Sequence, residues 1–321
     1  MSEMLLSEPF TRSEAHAAGV SSRKLAALIE SGVVERPFAG VYLPAALGDT
    51  PEVRMRAMAR LLPPGAALVR ESAAWAHGID VRPPDRFRAP PKLEVASPSS
   101  FDLNAVRRDG VHGHLLQLPP SDVTMVAGVP VTTAARTAVD LARYCEPYMG
   151  LAAVDMFCHR GLVDIDELQD RIARLAGQRW IGRARRICRL SDPRAESPGE
   201  SWLRLRISES ELPLPDLQIE LRDAGGRPIY RLDIGYEEAL LALEYDGIEY
   251  HYSGIEYSGI EQSARDARRQ HAIRERWGWQ TWSFHAGHVL GHRPVVEELI
   301  IDRLGLGVVP ARVRWVRAAQ V

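Results

Sequence analysis

Residues 231–251 read RLDIGYEEALLALEYDGIEYH, and the fold turns on how that stretch is understood. Leu240, Leu241, Ala242 and Leu243 form a short apolar run suited to a buried strand. Glu244, Tyr245 and Asp246 continue it, and Gly247 ends it. Arg231, Leu232, Asp233 and Ile234 read as a second short strand, with 235–238 as the turn, so the segment predicts an antiparallel hairpin. Residues two apart in a strand share a face, so Glu244 and Asp246 point the same way and the hairpin can bring Asp233 alongside Glu244. His251 follows the strand end closely. Carboxylates converging at a sheet repel one another, and a bound divalent cation with oxygen ligands, Mg²⁺ or Mn²⁺, is the usual resolution. The chemistry then implied is phosphodiester hydrolysis, in which the metal polarises the phosphate and activates water. The alternative is a solvent-exposed edge strand with ordinary surface acids.

Around the hairpin the chain is punctuated clearly. Residues 191–199 are rich in turn formers and read as a linker. A helix is predicted over 200–211, with Leu203, Leu205 and Ile207 partly buried, and a strand over 218–222 with 223–226 as its turn. After the hairpin, Gly-Ile-Glu occurs at 247–249, 254–256 and 259–261, a small local duplication expected in a loop. A helix over 265–277 carries Arg265, Arg268, Arg269, Arg274 and Arg276, which suits a phosphate backbone next to an acidic site. His285, His288 and His292 share a face if that stretch is helical.

Asp233, ten residues, then Glu244-Tyr245-Asp246-Gly247 and His251 resemble the PD-(D/E)XK nuclease superfamily. The branch most similar is the one related to the very-short-patch-repair (Vsr) mismatch endonucleases. Ser197-Pro198-Gly199-Glu200-Ser201, Arg265-Asp266-Ala267-Arg268-Arg269 and Gly278-Trp279-Gln280-Thr281-Trp282 resemble that branch's other motifs in order. The resemblance, over roughly residues 197–305, implies a restriction-endonuclease-like α/β/α domain with Mg²⁺ or Mn²⁺ as cofactor. It implies Asp233 and Glu244 as direct metal ligands, Glu200 acting through water, and Asp246 in the acidic centre. His251 would handle protons in place of the superfamily's lysine, whose position is Asp246 here, and Arg268 and Arg269 would steady the scissile strand. The only lysines are Lys24 and Lys92, far upstream, so no lysine of this domain fills that role.

At the other end, residues 9–44 read as helix, tight turn, helix and a two-stranded wing. Thr11 with Glu14 makes a capping box, Ser21 or Ser22 caps the second helix, and Gly32 stops it. In a winged helix-turn-helix the second helix enters the major groove, which makes Ser21, Ser22, Arg23 and Lys24, with Arg36 on the wing, the candidate DNA contacts. With four basic and five acidic residues over 1–44, a protein-docking module is the competing reading. Phe10-Thr11-Arg12-Ser13-Glu14-Ala15 and Gly40-Val41-Tyr42 resemble the N-terminal domain of AbiEi-type antitoxins. That resemblance implies a transcriptional repressor and antitoxin, pairing a winged helix with a larger domain.

The middle region, 51–190, predicts helices over 52–62 and 71–77, strands over 92–96, 112–118 and 129–132, and a helix from Thr133 through Tyr144. Helices follow near 150–160, 165–176 and 179–190. His112 and His114 share a strand face but lack a third ligand, so they read as surface or hydrogen-bonded histidines. Arg179, Arg183, Arg185, Arg186 and Arg189 along one helix are either a phosphate-tracking face or a solvated one.

The whole chain is therefore expected to be a multi-domain α/β protein: a winged helix-turn-helix over 1–50, an α+β connector over 51–190 and the endonuclease-like domain over 191–321. Its 321 residues carry a net charge of −2, so any contact with DNA must come from local patches. Cys145, Cys158 and Cys188 are an odd set without a C-x-x-C pair, which points away from a zinc or disulfide framework and towards a reducing cytoplasm. No secretory leader or membrane span is expected. Three functions compete: a metal-dependent DNA endonuclease or nickase, an antitoxin-type regulator with an inert nuclease-like domain, and a protein-interaction scaffold. DNA, a second copy of the chain and a cognate toxin are the candidate partners.

Overall fold

A computed structural model describes residues 7–38, 40–48, 50–83, 93–98, 111–246 and 258–307. The chain folds as two compact units, 1–80 with 89–141, and 81–88 with 142–321.

The first unit opens with β1 (Phe10–Thr11), α1 (Arg12–Ala17), α2 (Ser22–Glu30), β2 (Val34–Phe38) and β3 (Val41–Pro44). The strands form a three-stranded sheet in the order β1-β3-β2, the winged-helix arrangement expected from the sequence. Local chemistry decides each boundary. Thr11 and Glu14 form the reciprocal capping box, Ser21 caps α2 through the Lys24 N–H, and Gly32 at φ +70° turns the chain into the wing. Phe10, Ala15, Val20, Leu25, Val34 and Tyr42 form the core, with Phe10 and Tyr42 stacked at 5.7 Å.

The unit continues through α3 (Pro51–Ala59), β4 (Ala67–Leu68), α4 (Arg70–Ala76), β5 (Leu93–Ser97), β6 (Val111–Leu115), β7 (Val123–Val126) and β8 (Val129–Thr132) into α5 (Ala134–Tyr144). The sheet order is β6-β5-β4-β8-β7. Two of its strands carried no clear sequence signal. Two-residue β4 is too short for a periodic pattern, and β7 is half-exposed at the sheet edge. The β7–β8 hairpin turns on Ala127 and Gly128, both at positive φ, as a two-residue turn requires. On α5, Arg136 bridges buried Asp122 and Asp140.

The second unit begins with α6 (Pro147–His159), α7 (Ile165–Arg174), α8 (Ile181–Leu190) and α9 (Pro198–Glu209). A four-stranded sheet follows: β9 (Asp216–Arg222), β10 (Pro228–Tyr236), β11 (Leu241–Tyr245), then α10 (Ser258–Trp277) crossing over to β12 (Gln280–Phe284). The order is β12-β11-β10-β9, with β9, β10 and β11 antiparallel and β12 parallel to β11. Two short helices, α11 (Ala286–Val289) and α12 (Val295–Leu304), end the described chain.

Two expectations change here. Helix α9 is buried on every side from Gly199 to Ile207, rather than only along a leucine stripe. A side chain at Gly199 would meet the Tyr245 ring at 1.9 Å, so α9 lies directly on β11. The turn-rich stretch before α9 is packed rather than loose: Ala195 is fully buried and the Asp192 N–H donates to Asp155 at 2.8 Å. Helix α9 can be buried because its two inward arginines are paired. Arg204 meets Asp155 at 2.9 Å, and Arg206 meets Glu297 at 2.8 Å. Arg206 also donates to the carbonyls of His288, Val289, Gly291 and Arg293, which ties α9 to α11 and the turn after it. No helix among the described residues is long and apolar enough to cross a membrane.

Candidate nucleic-acid interface and acidic sheet site

Buried Leu25 turns the opposite face of α2 outward, so Ser22, Arg23 and Lys24 are exposed at its N-terminal turn and Arg36 is exposed on β2. The Ser22 hydroxyl is held by His16 Nε2 at 2.9 Å. Two cations and an oriented hydroxyl at a helix N-terminus are the groups that meet phosphate oxygens and base edges. All five sequence-predicted contacts of this module, Ser21 included, lie on its surface, and no ion pair holds Arg23, Lys24 or Arg36 among the described residues.

The C-terminal sheet gathers its acids on β10, β11 and the start of α9. The β10–β11 ladder pairs Ile234 with Leu243, so one position further Asp233 lies across from Glu244, as the hairpin reading expects. On the other side, Gln218 lies across from Asp233, between the pairs Leu217–Ile234 and Ile219–Leu232. Ser283 pairs with Glu244. A polar row therefore crosses all four strands. Burial, with Glu244 beside it, pushes the Asp233 carboxyl above the usual carboxylate range; Arg269 and Arg231 pull the other way. Burial also raises Glu200, with Asp233 adding to the shift against hydrogen bonds from Glu196 and Ser197.

Arg269 on α10 donates to Glu244 Oε1 at 2.5 Å and to the Arg231 carbonyl at 2.9 Å. Arg231 in turn pairs with Glu196 at 2.5 Å. Glu200 has both oxygens engaged: Oε1 accepts from the Ser197 hydroxyl at 2.7 Å, and Oε2 from the Glu196 N–H at 3.0 Å and Gln218 Nε2 at 3.3 Å. The predicted Glu200, Asp233, Glu244 and Arg269 are thus brought together. Asp246 is exposed at the end of β11, where its N–H donates to the Phe284 carbonyl at 2.8 Å, and Arg268 is exposed on α10. His251 lies outside the described residues, as do the first two Gly-Ile-Glu units, while the third opens α10 rather than a loop.

Two hard carboxylates side by side suit Mg²⁺ or Mn²⁺, and on the strand next to Asp233 the Gln218 Oε1 is buried without a hydrogen-bond partner among the described residues. The donor chemistry therefore fits such an ion, although no group of three His, Cys, Asp or Glu side chains is close enough to hold one among the described residues. Gln218 was not singled out by sequence, since a glutamine in a short strand carries no signal until the register is known. Elsewhere, His114 bonds Glu94 at 3.1 Å while His112 is exposed. Arg183 is taken up by the carbonyls of Ala142 and Arg143, and Arg186 by Glu209, so the α8 arginines are only partly a free face.

Residues 5–45 match the family model described as "Transcriptional regulator, AbiEi antitoxin", and residues 65–190 the one described as "AbiEi antitoxin C-terminal domain". Neither match extends past residue 190, and none is to an endonuclease family. Among curated proteins the chain is similar to the uncharacterized protein MT2308 of Mycobacterium tuberculosis strain CDC 1551 and its H37Rv counterpart, Rv2248. Each is 36% identical over 126 residues, which is 39% of this chain and 46% of the relative. The chain thus spans about half the length of the curated relatives it matches. The 65–190 match takes in the five-stranded sheet of the first unit and helices α6–α8 of the second. The winged helix and the region from that sheet to α8 are thus the parts of the chain similar to AbiEi antitoxin and transcriptional-regulator domains.

Proposed function

We propose that the chain is a DNA-binding regulator of the antitoxin type, reading duplex DNA through the N-terminal turn of α2 and the β2–β3 wing. The observation that carries this is the exposed Ser22-Arg23-Lys24 turn, with Arg36 on the wing, inside the segment that matches a transcriptional-regulator model. The near-neutral net charge means that affinity comes from this local patch rather than from a global field. A cognate toxin is the partner that the antitoxin matches suggest, and a second copy of the chain would suit a two-fold DNA site. The test is fluorescence anisotropy of the full chain on a duplex taken from upstream of its own gene. The Arg23→Ala/Lys24→Ala double variant should bind at least tenfold more weakly, and the log–log salt slope should fall by about 2. Unchanged affinity and slope would remove α2 from the interface.

A second reading is favoured by the C-terminal sheet. Helix, three antiparallel strands, crossover helix and a parallel fourth strand support a restriction-endonuclease-like domain. The Asp233–Glu244 juxtaposition supports a phosphodiester-cleaving site within it. Asp233 and Glu244 would hold Mg²⁺ or Mn²⁺, which supplies phosphate polarisation and water activation when bound. Arg269 would hold a phosphate oxygen beside Glu244, Arg268 the flanking backbone, and His251 would carry the proton that the superfamily assigns to a lysine. Asp246 stands at that lysine's position and adds negative charge instead. This chemistry requires a bound divalent cation, which can be measured without cleavage.

A further inference from the structure

One polar group in the acidic row has no role in either reading. Gln218 sits inside β9 with φ +57°, a backbone that a non-glycine residue adopts only at a cost. Glycine would take that conformation more easily, so a side chain at this position calls for a reason of its own. Its orientation is set by Glu200. A carboxylate accepts hydrogen bonds, so the amide must turn Nε2 towards Glu200 Oε2, at 3.3 Å, and direct Oε1 elsewhere. Oε1 is then shut away from water with no donor among the described residues. Buried carbonyl oxygens are rarely left in that state, because each has given up its hydration.

The charges around it point to what is missing. Glu196, Glu200, Asp233 and Glu244 face two guanidiniums, Arg231 and Arg269. Arg231 is bonded to Glu196 and Arg269 to Glu244, so neither guanidinium is bonded to Glu200 or Asp233, and four carboxyl groups share two guanidiniums. An acid-rich row with one unpartnered oxygen suits a divalent cation, and the buried carbonyl oxygen of Gln218, on the strand beside Asp233, is the donor type that such cations take alongside carboxylates.

We propose that Gln218 supplies, through Oε1, a neutral oxygen ligand to a divalent cation held by Asp233 and Glu244, with Glu200 orienting the amide instead of binding the ion. This rests on the second reading above, that the acidic row is a cation site, and goes beyond it in assigning Gln218 and in moving Glu200 out of the ligand set. Glu244 keeps Oε2 for the ion, since Arg269 is bonded to Oε1. Both Glu200 oxygens are already engaged by Ser197, Glu196 and Gln218.

The test is calorimetric titration of Mn²⁺ into the full-length chain, with melting curves of each variant in the absence of metal. Wild type should bind one Mn²⁺, and Asp233→Asn none that is measurable. Gln218→Leu should bind about tenfold more weakly or worse. Gln218→Gly separates ligation from folding: it suits the backbone, so it should melt no lower than wild type, yet lose Mn²⁺ affinity to the same extent. Equal Mn²⁺ binding by wild type and Gln218→Gly, with Asp233→Asn silent, would overturn the role of Gln218 and leave the acid pair standing. No Mn²⁺ binding by wild type would overturn both.

Discussion

The winged module and the C-terminal sheet use charge in opposite ways. In the first, Arg23, Lys24 and Arg36 stand in water, where a charge costs little and stays available to a partner. In the second, α9 carries Arg204 and Arg206 into the interior, with Arg206 1% exposed. Taking an ion out of water costs several kcal/mol unless its partner and remaining hydrogen bonds are all supplied. Every nitrogen of Arg206 is accounted for, by both Glu297 oxygens and four carbonyls, so this charge builds architecture. The contrast separates recognition from construction. Exposed cations with nothing to hold mark a surface for a ligand, while buried charges mark a surface for the chain itself. The acidic row around Asp233 belongs to neither class, since it is partly buried and only partly neutralised.

The contrast breaks first at Arg206. Arg206→Met should destabilise the second unit by about 3–5 kcal/mol, because Glu297 and four carbonyls lose their donor inside the protein. Arg23→Ala should move stability by less than about 0.5 kcal/mol. Urea unfolding of the two variants side by side measures the difference, and similar midpoints would erase the distinction between building and recognising charges.

Asp155 sharpens it. This carboxylate is fully buried against Ser201, Arg204 and the Asp192 N–H, and burial pushes it up to about 7 despite those three donors. Between about pH 4 and pH 7 the folded chain then holds a proton that the unfolded chain has released, so stability falls as pH rises through that window. The loss at Asp155 is roughly 2–4 kcal/mol. Asp155→Asn has no such proton, so the gap between wild type and variant should narrow steadily from pH 4 to pH 7 in melting experiments. A constant gap would show that the carboxylate is ionised throughout.

A smaller loss than at Arg206 or Asp155 is expected at Thr11, which caps α1. Thr11→Ala removes one half of the capping box and should cost about 1 kcal/mol, read as a modest fall in melting temperature. A loss as large as that at Arg206 would mean that the winged module depends on this cap as the second unit depends on its buried pair.

What could be read from sequence divides along the same line. The winged module was legible because its signals are local: a capping box from Thr11 to Glu14, a serine cap, a glycine stop and a wing. The acidic hairpin was legible too, since alternation over 231–246 determines which residues face one another once the turn is found. The edge strand β7, two-residue β4 and the full burial of helix α9 were not, because each depends on partners distant in sequence. Helix α9 is the plainest case: nothing near Arg204 and Arg206 in sequence marks them as buried, since their partners Asp155 and Glu297 lie 49 and 91 residues away.

The same holds at the candidate sites. Sequence alone determined which residue types carry the chemistry, because capping, turn formation and strand alternation act over a few neighbours. Only the tertiary structure decided which of those groups are already spent. It showed Glu200 bonded on both oxygens, Glu244 shared with Arg269, and Gln218 set across from Asp233 with an oxygen left over. The physical reason is that the cost of a buried charge or carbonyl depends on what surrounds it, and those surroundings come from strands and helices that meet only when the chain folds.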